Sequence, residues 1–317
     1  MHQYLNDDEE TEVTFKVPNM FAQDERFIYF VADPPHLMKT ARNCLSNSGS
    51  GRCSRLMWND CQHILWSHIC DIFKEDQGCG LHLLPKLTED HIQLNSYSVM
   101  NVKLAVQVLS STVAQVLNNF GSKETAATAT FCGMMDQFFD CTNVRNTKEG
   151  GKKLKPFLQP YSSQDDIRFS WLKDVFLGYL KKWKQSVDER PGEFSEPERA
   201  KMLISRQTYE GLHVTCMSLI ECIPYLLQNG VNYILTERFC QDFLENYFGQ
   251  QRSLGRRKDN PTLRDFGYND NTIRNQKEVR PIAGGNAYGA FQGCHSVPID
   301  STPLPSRKKT KTYHSKS

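Results

Sequence analysis

An apolar run that stops at an acidic residue and two prolines constrains the fold of this chain most. Residues 27–32 are apolar at every position and rich in aromatic and branched side chains, which predicts a strand buried on both faces. Pro34 and Pro35 cannot continue a strand ladder, so this strand should end at Asp33. Residues 37–45 have helical spacing. A central strand followed by a helix indicates an α/β core, with Asp33 at the carboxyl end of the strand.

Two interpretations of Asp33 stay open at this point. Ligands of open α/β sheets bind at the carboxyl ends of strands, and this position therefore suits a functional carboxylate. Aspartate is also a favoured N-cap, whose side chain accepts a hydrogen bond from a backbone N–H of the first helical turn. Spacing alone favours the cap, because caps are far commoner than catalytic carboxylates.

Most of the remaining chain has helical periodicity. Apolar residues recur at intervals of three and four positions. The predicted helices cover residues 58–73, 100–117, 126–141, 169–183 and 199–228. Pro224 predicts a kink or an end in the last of these. Residues 148–156 suggest a basic linker, and Thr236 is the predicted cap of a helix that runs to about Gly249.

This order of elements, a strand and helix, then a large helical block, then another helix, suggests a fold interrupted by an insertion. The sequence predicts a partial α/β segment, a helical insertion, a second α/β segment and a disordered basic tail. Their predicted bounds are residues 1–45, 46–230, 231–275 and 276–317. The net charge is only +2, so overall charge does not indicate nucleic-acid binding. No apolar run approaches the 18 or so residues of a membrane span, which predicts a protein without a membrane partner.

A second acidic pattern lies in the last predicted helix. Asp242 and Glu245 are three residues apart and share a helix face. Four basic residues follow them: Arg252, Arg256, Arg257 and Lys258. Metal-assisted phosphoryl chemistry on nucleic acid needs carboxylates that hold cations and basic groups that meet phosphates. The alternative is an ordinary charged, solvated helix face.

Five segments, taken together, resemble the P-element-type transposases, including their THAP-type vertebrate relatives. They follow the order of that family from about residue 15 to 270. The segments read ADPPHLMKTARN, LPKLTEDHIQLNSYSVMNVKLAVQVLSSTVAQVL, FCGMMDQFFDCTNVRN, DDIRFSWLKDVFLGYLKKWK and LTERFCQDFLENYFGQQRSLGRRKDNPT. The resemblance implies an incomplete α/β RNase H-like core, interrupted by a large, mainly α-helical insertion that binds GTP. Members of the family cut and rejoin DNA with two metal ions held by an Asp, Asp, Glu triad.

The resemblance also implies roles for individual residues. Asp33 matches the second acid of the triad and Glu245 the third, so both are expected to be catalytic ligands of Mg²⁺. The expected GTP contacts are Lys86, Val102, Phe139, Asp140 and Asp242. A carboxylate accepts hydrogen bonds from guanine N1–H and N2–H, and an aromatic ring stacks on the base. The sequence has no G-x-x-x-x-G-K-[ST] motif, so the expected GTP site is not a P-loop.

Each nucleotide contact also has an ordinary structural interpretation. Phe139 suits a core position, Val102 lies on an apolar stripe, and Lys86 suits a surface charge.

The residues expected to bind DNA are the four basic residues after Glu245, namely Arg252, Arg256, Arg257 and Lys258.

The first acid of the triad has no clear match, because Asp7, Asp8 and Asp24 do not end apolar strands. We therefore expect a partial transposase with impaired catalysis. The alternative is a non-catalytic, domesticated module that binds nucleotide, DNA or a protein partner. Further expectations are DNA (transposon ends) as a partner, a homo-oligomer, and a nuclear location on the basis of the basic tail.

Overall fold

Helices dominate the computed structural model, which describes residues 13–22, 25–78, 80–254 and 262–278. The α-helices are α1 Pro34–Ser46, α2 Trp66–Gly78, α3 Glu89–Ile92, α4 Ser96–Met100, α5 Val102–Val108, α6 Ser111–Phe120, α7 Ala126–Thr142, α8 Glu149–Lys153, α9 Ile167–Ser170, α10 Leu177–Asp188, α11 Glu196–Lys201, α12 Arg206–Gln228, α13 Asp242–Leu254 and α14 Leu263–Glu278. The strands are β1 Lys16–Pro18, β2 Phe27–Tyr29, β3 Met57–Asn59 and β4 Gln62–Ile64. A π-helical segment, Trp171–Phe176, joins α9 to α10, and 3₁₀ turns form at Lys123–Thr125 and Thr236–Phe239. The chain forms two compact units, Met1–Phe243 and Leu244–Ser317.

The strand before Asp33 is shorter and more exposed than the sequence suggests. β2 pairs antiparallel with β1, with Val17 opposite Ile28. Among the described residues, the sheet consists of these two strands. Phe27, Ile28 and Phe30 are 44%, 46% and 44% exposed. The prediction of a strand buried on both faces is therefore wrong, because a two-stranded ribbon with one partner layer leaves apolar side chains uncovered.

Hydroxyl groups of α12 fix the chain where β2 ends. Ser218 Oγ donates to the Phe30 carbonyl oxygen at 2.5 Å. Thr215 Oγ1 accepts from the Ala32 N–H at 3.1 Å and donates to the Ala32 carbonyl oxygen at 3.0 Å. These bonds satisfy backbone groups beyond the strand ladder, so α12 sets where the next residue, Asp33, lies.

The helix predicted at residues 37–45 is confirmed and begins earlier, at Pro34. Proline suits the first helical turn, where its missing N–H has no intrahelical partner in any case. α1 contacts α4, α5, α7 and α12. Its buried apolar residues are Pro34, Pro35, Leu37, Met38, Ala41, Cys44 and Leu45. α1 is thus a central helix on which the surrounding helices pack.

Residues 58–73 do not form one helix. β3 and β4 make an antiparallel hairpin, and α2 begins only at Trp66. The hairpin turn places Asp60 at φ 45° and Cys61 at φ 61°. Aspartate is a favoured first residue of such a turn, but the second position, which is usually glycine, holds Cys61. The hairpin is held from outside, since the Trp58 N–H donates to the Met202 carbonyl oxygen at 3.0 Å.

The apolar stripe at residues 100–117 is divided between three helices, α4, α5 and α6. Asn101 ends α4 and caps α5, and its side chain accepts from the Leu104 N–H at 3.3 Å. Ser110 caps α6 and accepts from the Val113 N–H at 3.4 Å. Short polar side chains compete with the helix backbone in this way, so the periodicity continues while the helix does not.

Other helix predictions are confirmed in part. α7 covers the helix predicted at 126–141, and the segment from α9 to α10 covers 169–183. The helix predicted at 199–228 is divided between α11 and α12, and α12 does not end at Pro224 but continues to Gln228. Part of the predicted basic linker forms α8.

Thr236 is not a helix cap. The side chain is fully buried, accepts from the Val144 N–H at 2.9 Å and donates to the Cys141 carbonyl oxygen at 3.1 Å. α13 instead begins at Asp242.

One large apolar core spans α1, α2, α6, α7, the π-helical segment, α10 and part of α12. Phe138 stacks on Phe176 with ring centroids 4.9 Å apart, and Phe131 meets Trp183 edge to face at 5.7 Å. Burial of each such side chain stabilises the fold by about 1.5–3 kcal/mol. In the part of the chain that the structure describes, no helix is both long and apolar enough to cross a membrane.

The second unit contains α14 and most of α13. Tyr247 Oη donates to Asp270 Oδ1 at 2.7 Å and accepts from Gln251 Nε2 at 2.9 Å. Asp270 also pairs with Arg274 at 2.8 Å. These polar contacts, together with the Tyr247 and Phe266 rings 6.1 Å apart, hold the two helices of this unit together.

Candidate nucleotide and metal sites

Asp33 has a defined structural role. Its Oδ2 accepts from the His36 N–H at 3.1 Å, which makes it the N-cap of α1. Its Oδ1 accepts from the Gln241 N–H at 3.0 Å, directly before α13. The capping interpretation is therefore confirmed. The carboxylate remains partly exposed, and each oxygen has a further lone pair.

The donor chemistry of the two expected metal ligands fits Mg²⁺, which prefers carboxylate oxygens and keeps several waters. Glu245 is an exposed residue of α13. Among the described residues, His, Cys, Asp and Glu side chains form no group of three or more that could hold a metal ion. The metal-ligand roles of Asp33 and Glu245 stay predictions.

A buried charged cluster lies on α7. Asp136 and Asp140 are four residues apart and face the same side of the helix. Lys155 Nζ lies 3.0 and 2.9 Å from the two carboxylate oxygens of Asp136. It lies 2.9 Å from each carboxylate oxygen of Asp140. Asp136 is 5% exposed and Asp140 is 7% exposed. One ammonium group therefore bridges two buried carboxylates.

This environment changes the acidity of both partners. Burial, followed by the charge of Asp136, raises the pKa of Asp140 to about 6, against the opposing effects of Lys155 and Lys153. Burial by itself lowers the pKa of Lys155, but the two carboxylates outweigh it and raise that pKa overall. An ion pair normally lowers the pKa of its acid, but here one cation serves two buried acids. Asp140 is thus largely ionised at neutral pH and protonates in mild acid.

The loop after α8 delivers Lys155 to this cluster. Leu154 takes the left-handed conformation at φ 54°, and the Lys155 N–H donates to the Gly150 carbonyl oxygen at 3.0 Å. A side chain at Gly150 would collide with the neighbouring loop, because its Cβ would lie 2.1 Å from the Leu158 carbonyl oxygen. The close approach of α8 to residues 158–159 thus requires glycine.

Sequence reasoning identified Asp140 but missed Asp136 and Lys155. A signal was present, because Asp136 and Asp140 are the charged residues of an otherwise uncharged helix, four positions apart. Lys155 carried no such signal, since it is one of several lysines in a glycine-containing stretch.

The other expected nucleotide contacts lie on separate elements. Lys86 is exposed just before α3, and Val102 is the first residue of α5. Phe139 is partly buried and packs against the main core. α1 contacts both α5 and α7, so the helices that carry Val102, Phe139 and Asp140 pack on one central helix.

Some of the residues expected to contact GTP or DNA lie wholly or partly outside the described part of the chain. Asp242 is the first residue of α13, and its side chain lies outside the description. Arg252 lies in the last turn of α13. Arg256, Arg257 and Lys258 lie outside the described residues.

An open groove of about 970 Å³ lies elsewhere, between α10 and α12. Its lining includes three lysines, Lys173, Lys181 and Lys184, and α12 supplies Tyr209 and His213. Its lining includes none of Lys86, Val102, Phe139 and Asp140. The groove is therefore not the expected nucleotide site.

Comparisons with known proteins agree on one family. The model of the family described as TNP-like, GTP-binding insertion domain matches residues 35–155. The transposable element P transposase of Drosophila melanogaster is 31% identical over 256 residues, which cover 78% of this chain and 30% of that protein. A structure of the Drosophila P element transposase strand transfer complex matches with a TM-score of 0.59 and 28% identity, over 78% of this chain and 52% of that one. The chain thus spans less than a third of the length of the curated relative.

Proposed function

This chain is a P-element-type transposase relative that contains a GTP-binding insertion domain, and from that premise we propose that it binds GTP through Asp140. The observation that carries the proposal is the buried Asp140 carboxylate, held by Lys155 within the segment that the domain family matches. A buried carboxylate with an excess of negative charge around it is a strong acceptor for a ligand that brings N–H donors.

Guanine offers such donors side by side, at N1 and N2, whereas adenine presents an acceptor at N1. The preference for GTP over ATP then follows from the Asp140 carboxylate. Phe139, the neighbouring residue on α7, supplies an aromatic face for stacking, and Lys86 supplies a cation for the phosphates. Val102 and Asp242 complete the proposed contacts.

The proposal extends to the activity of the family, divalent-metal-dependent DNA strand cleavage and transfer with GTP as cofactor. Asp33 and Glu245 are the Mg²⁺ ligands that this chain supplies. The metal would stabilise the attacking and leaving oxygens of the phosphodiester. The Asp33 carboxylate, fixed by two backbone N–H groups, presents its remaining lone pairs from a rigid helix start.

The remaining elements of the proposal concern partners and organisation. Transposon-end DNA meets the basic residues Arg252, Arg256, Arg257 and Lys258. The incomplete RNase H-like segments cover 1–45 and 231–275, and the insertion covers 46–230. A nuclear location and a homo-oligomer belong to the same proposal, and catalysis by this chain alone is expected to be impaired.

Titration with labelled GTP tests the central claim. The purified chain is titrated with GTP and with ATP, next to Asp140→Ala, with circular dichroism spectra to show that each protein is folded. Saturable, GTP-selective binding that Asp140→Ala loses supports the proposal. A folded wild-type chain that binds neither nucleotide contradicts it.

A further inference from the structure

Lys155 contacts more acceptors than it has protons. Its Nζ lies 2.9–3.0 Å from all four carboxylate oxygens of Asp136 and Asp140. An ammonium group has three N–H donors, so at least one contact is shared or purely electrostatic. The arrangement fixes both carboxylates around one point, on a lysine side chain that is 30% exposed.

The cluster carries one net negative charge when its three groups are ionised. Lys153, the basic residue nearest to Lys155 in the sequence, forms its own ion pair with Glu149 at 2.5 Å. A buried excess charge is costly unless hydrogen bonds compensate it. The Asp140 carboxylate therefore suits a ligand that supplies N–H donors, provided that it stays ionised and keeps its orientation.

We propose that Lys155 is a positioning residue for guanine recognition, which holds the Asp140 carboxylate ionised and in place, with Asp136 as its second anchor. This inference rests on the proposed function. It adds two residues, Lys155 and Asp136, that act on the nucleotide through Asp140. The ligand class is a purine nucleotide whose base edge carries two adjacent N–H donors.

A purely structural role for Lys155 makes a different prediction. If the lysine only supports the fold and the Asp140 carboxylate does not contact the base, its loss weakens the fold and lowers GTP affinity by the same factor at every pH. If it controls Asp140, its loss also moves the pH at which binding fails. The groups that face Asp140 act in known directions: Asp136 raises its pKa, and Lys155 and Lys153 lower it.

The test measures GTP affinity from about pH 5 to pH 8.5 for the wild-type chain, Lys155→Met and Asp136→Asn. Wild-type binding should weaken as the pH falls through about 6, where Asp140 protonates. Lys155→Met should bind GTP about tenfold more weakly at pH 7.5, because the cation that favours the ionised Asp140 carboxylate is gone. For the same reason, its GTP affinity should begin to fall at a higher pH than that of the wild-type chain. Asp136→Asn should lower the pH at which GTP affinity falls, because the anion that repels the ionised Asp140 carboxylate is gone.

Two further variants keep the result interpretable. Lys152→Met removes an exposed lysine of α8 and should match the wild-type chain. Lys155→Arg keeps the charge but changes the geometry, so it should retain the wild-type pH profile with weaker binding. If Lys155→Met does not fold, Asp136→Asn provides the shift of the pH profile.

The Asp140 carboxyl pKa, followed by NMR with ¹³C-labelled aspartate, gives a readout that needs no nucleotide. An unmoved binding profile in folded Lys155→Met or, if that variant does not fold, in Asp136→Asn overturns the inference whether or not the Asp140 titration moves, while GTP binding by the wild-type chain upholds the proposed function. A wild-type chain that binds no GTP overturns the proposed function and, with it, the nucleotide role of Lys155.

Discussion

The backbone N–H of Gln241 donates to Oδ1 of Asp33 across 3.0 Å, so the residue that caps α1 also fixes the chain directly before α13. Asp33 and Gln241 are 208 positions apart in the sequence. A single carboxylate thus joins the start of the central helix to a distant segment, at the position where the family resemblance implies a functional acid.

Asp33→Ala should lower the free energy of unfolding by about 1–3 kcal/mol, because it removes the cap of α1 and the acceptor for Gln241. Asp33→Asn should lose less, since asparagine is a good N-cap but has one side-chain oxygen for the two donors. Urea unfolding of both variants measures the difference, with Glu75→Ala, an exposed acid of α2, as control. Equal losses in the two Asp33 variants would contradict a capping role.

The α8 glycines give a matched pair. Gly150→Ala should destabilise the chain by about 1–3 kcal/mol and weaken GTP binding, because the new Cβ would meet the Leu158 carbonyl oxygen at 2.1 Å. Its neighbour Gly151 has no atom within 4 Å of an added Cβ, so Gly151→Ala should be neutral or stabilising by up to about 1 kcal/mol.

Thermal and urea unfolding, together with GTP titration, check this pair. Similar behaviour of the two alanine variants would show that the placement of Lys155 does not depend on the packing of α8.

Asp140 should make stability depend on pH in a characteristic direction. Its pKa is raised from 3.8 to about 6 in the folded chain, so the folded state holds this proton more tightly than the unfolded state. The corresponding stabilisation is fully present below about pH 3.8 and is lost as the pH rises through about 6. Its size is on the order of 2–3 kcal/mol.

Asp140→Asn removes this titration. Unfolding free energies of the wild-type chain and the variant, measured from pH 4 to pH 7, should therefore diverge with rising pH to the disadvantage of the wild-type chain. Asp166 and Glu198 have lowered pKa values and give the opposite trend, but they are common to both proteins and cancel in the difference. A difference that is flat in pH would contradict a raised pKa at Asp140.

Sequence periodicity predicts the mainly helical architecture well in places, as in α7. It fails where long-range backbone contacts decide the structure. β3 and β4 form a hairpin without turn glycines, and the Trp58 N–H of this hairpin donates to the carbonyl oxygen of the distant residue Met202. The apolar stripe at 100–117 continues through Asn101 and Ser110, whose side chains end and restart helices.

The candidate site shows the same limit. Asp140 is accessible to sequence reasoning because it matches a family motif and interrupts an apolar helix. The partner that fixes it, Lys155, arrives from a short helix and a left-handed turn at Leu154, which the sequence suggests is a linker. Contacts made across such a turn depend on tertiary packing and not on periodicity.

DNA cleavage by this chain alone should be weak. The chain supplies Asp33 and Glu245 as expected ligands, and a two-metal site depends on its full set of carboxylates. Incubation of labelled transposon-end DNA with the purified chain, Mg²⁺ and GTP measures the activity. Strong Mg²⁺-dependent cleavage that Glu245→Ala abolishes and Glu75→Ala retains would contradict this prediction. DNA binding with a steep salt dependence but no metal dependence would favour the non-catalytic alternative.

Asp140→Asn should exchange the base preference of the nucleotide site. Guanine presents N1–H and N2–H donors, which a carboxylate accepts, whereas xanthine presents an N1–H donor beside an O2 acceptor. Asparagine offers one acceptor and one donor, so the variant should bind GTP about 10–100-fold more weakly and XTP more tightly than GTP. GTP and XTP carry identical triphosphates, and their comparison therefore isolates the base contact. Gln137→Ala, an exposed position on α7, should keep the wild-type preference. If folded Asp140→Asn loses both nucleotides equally, Asp140 supports the fold of the site and does not contact the base.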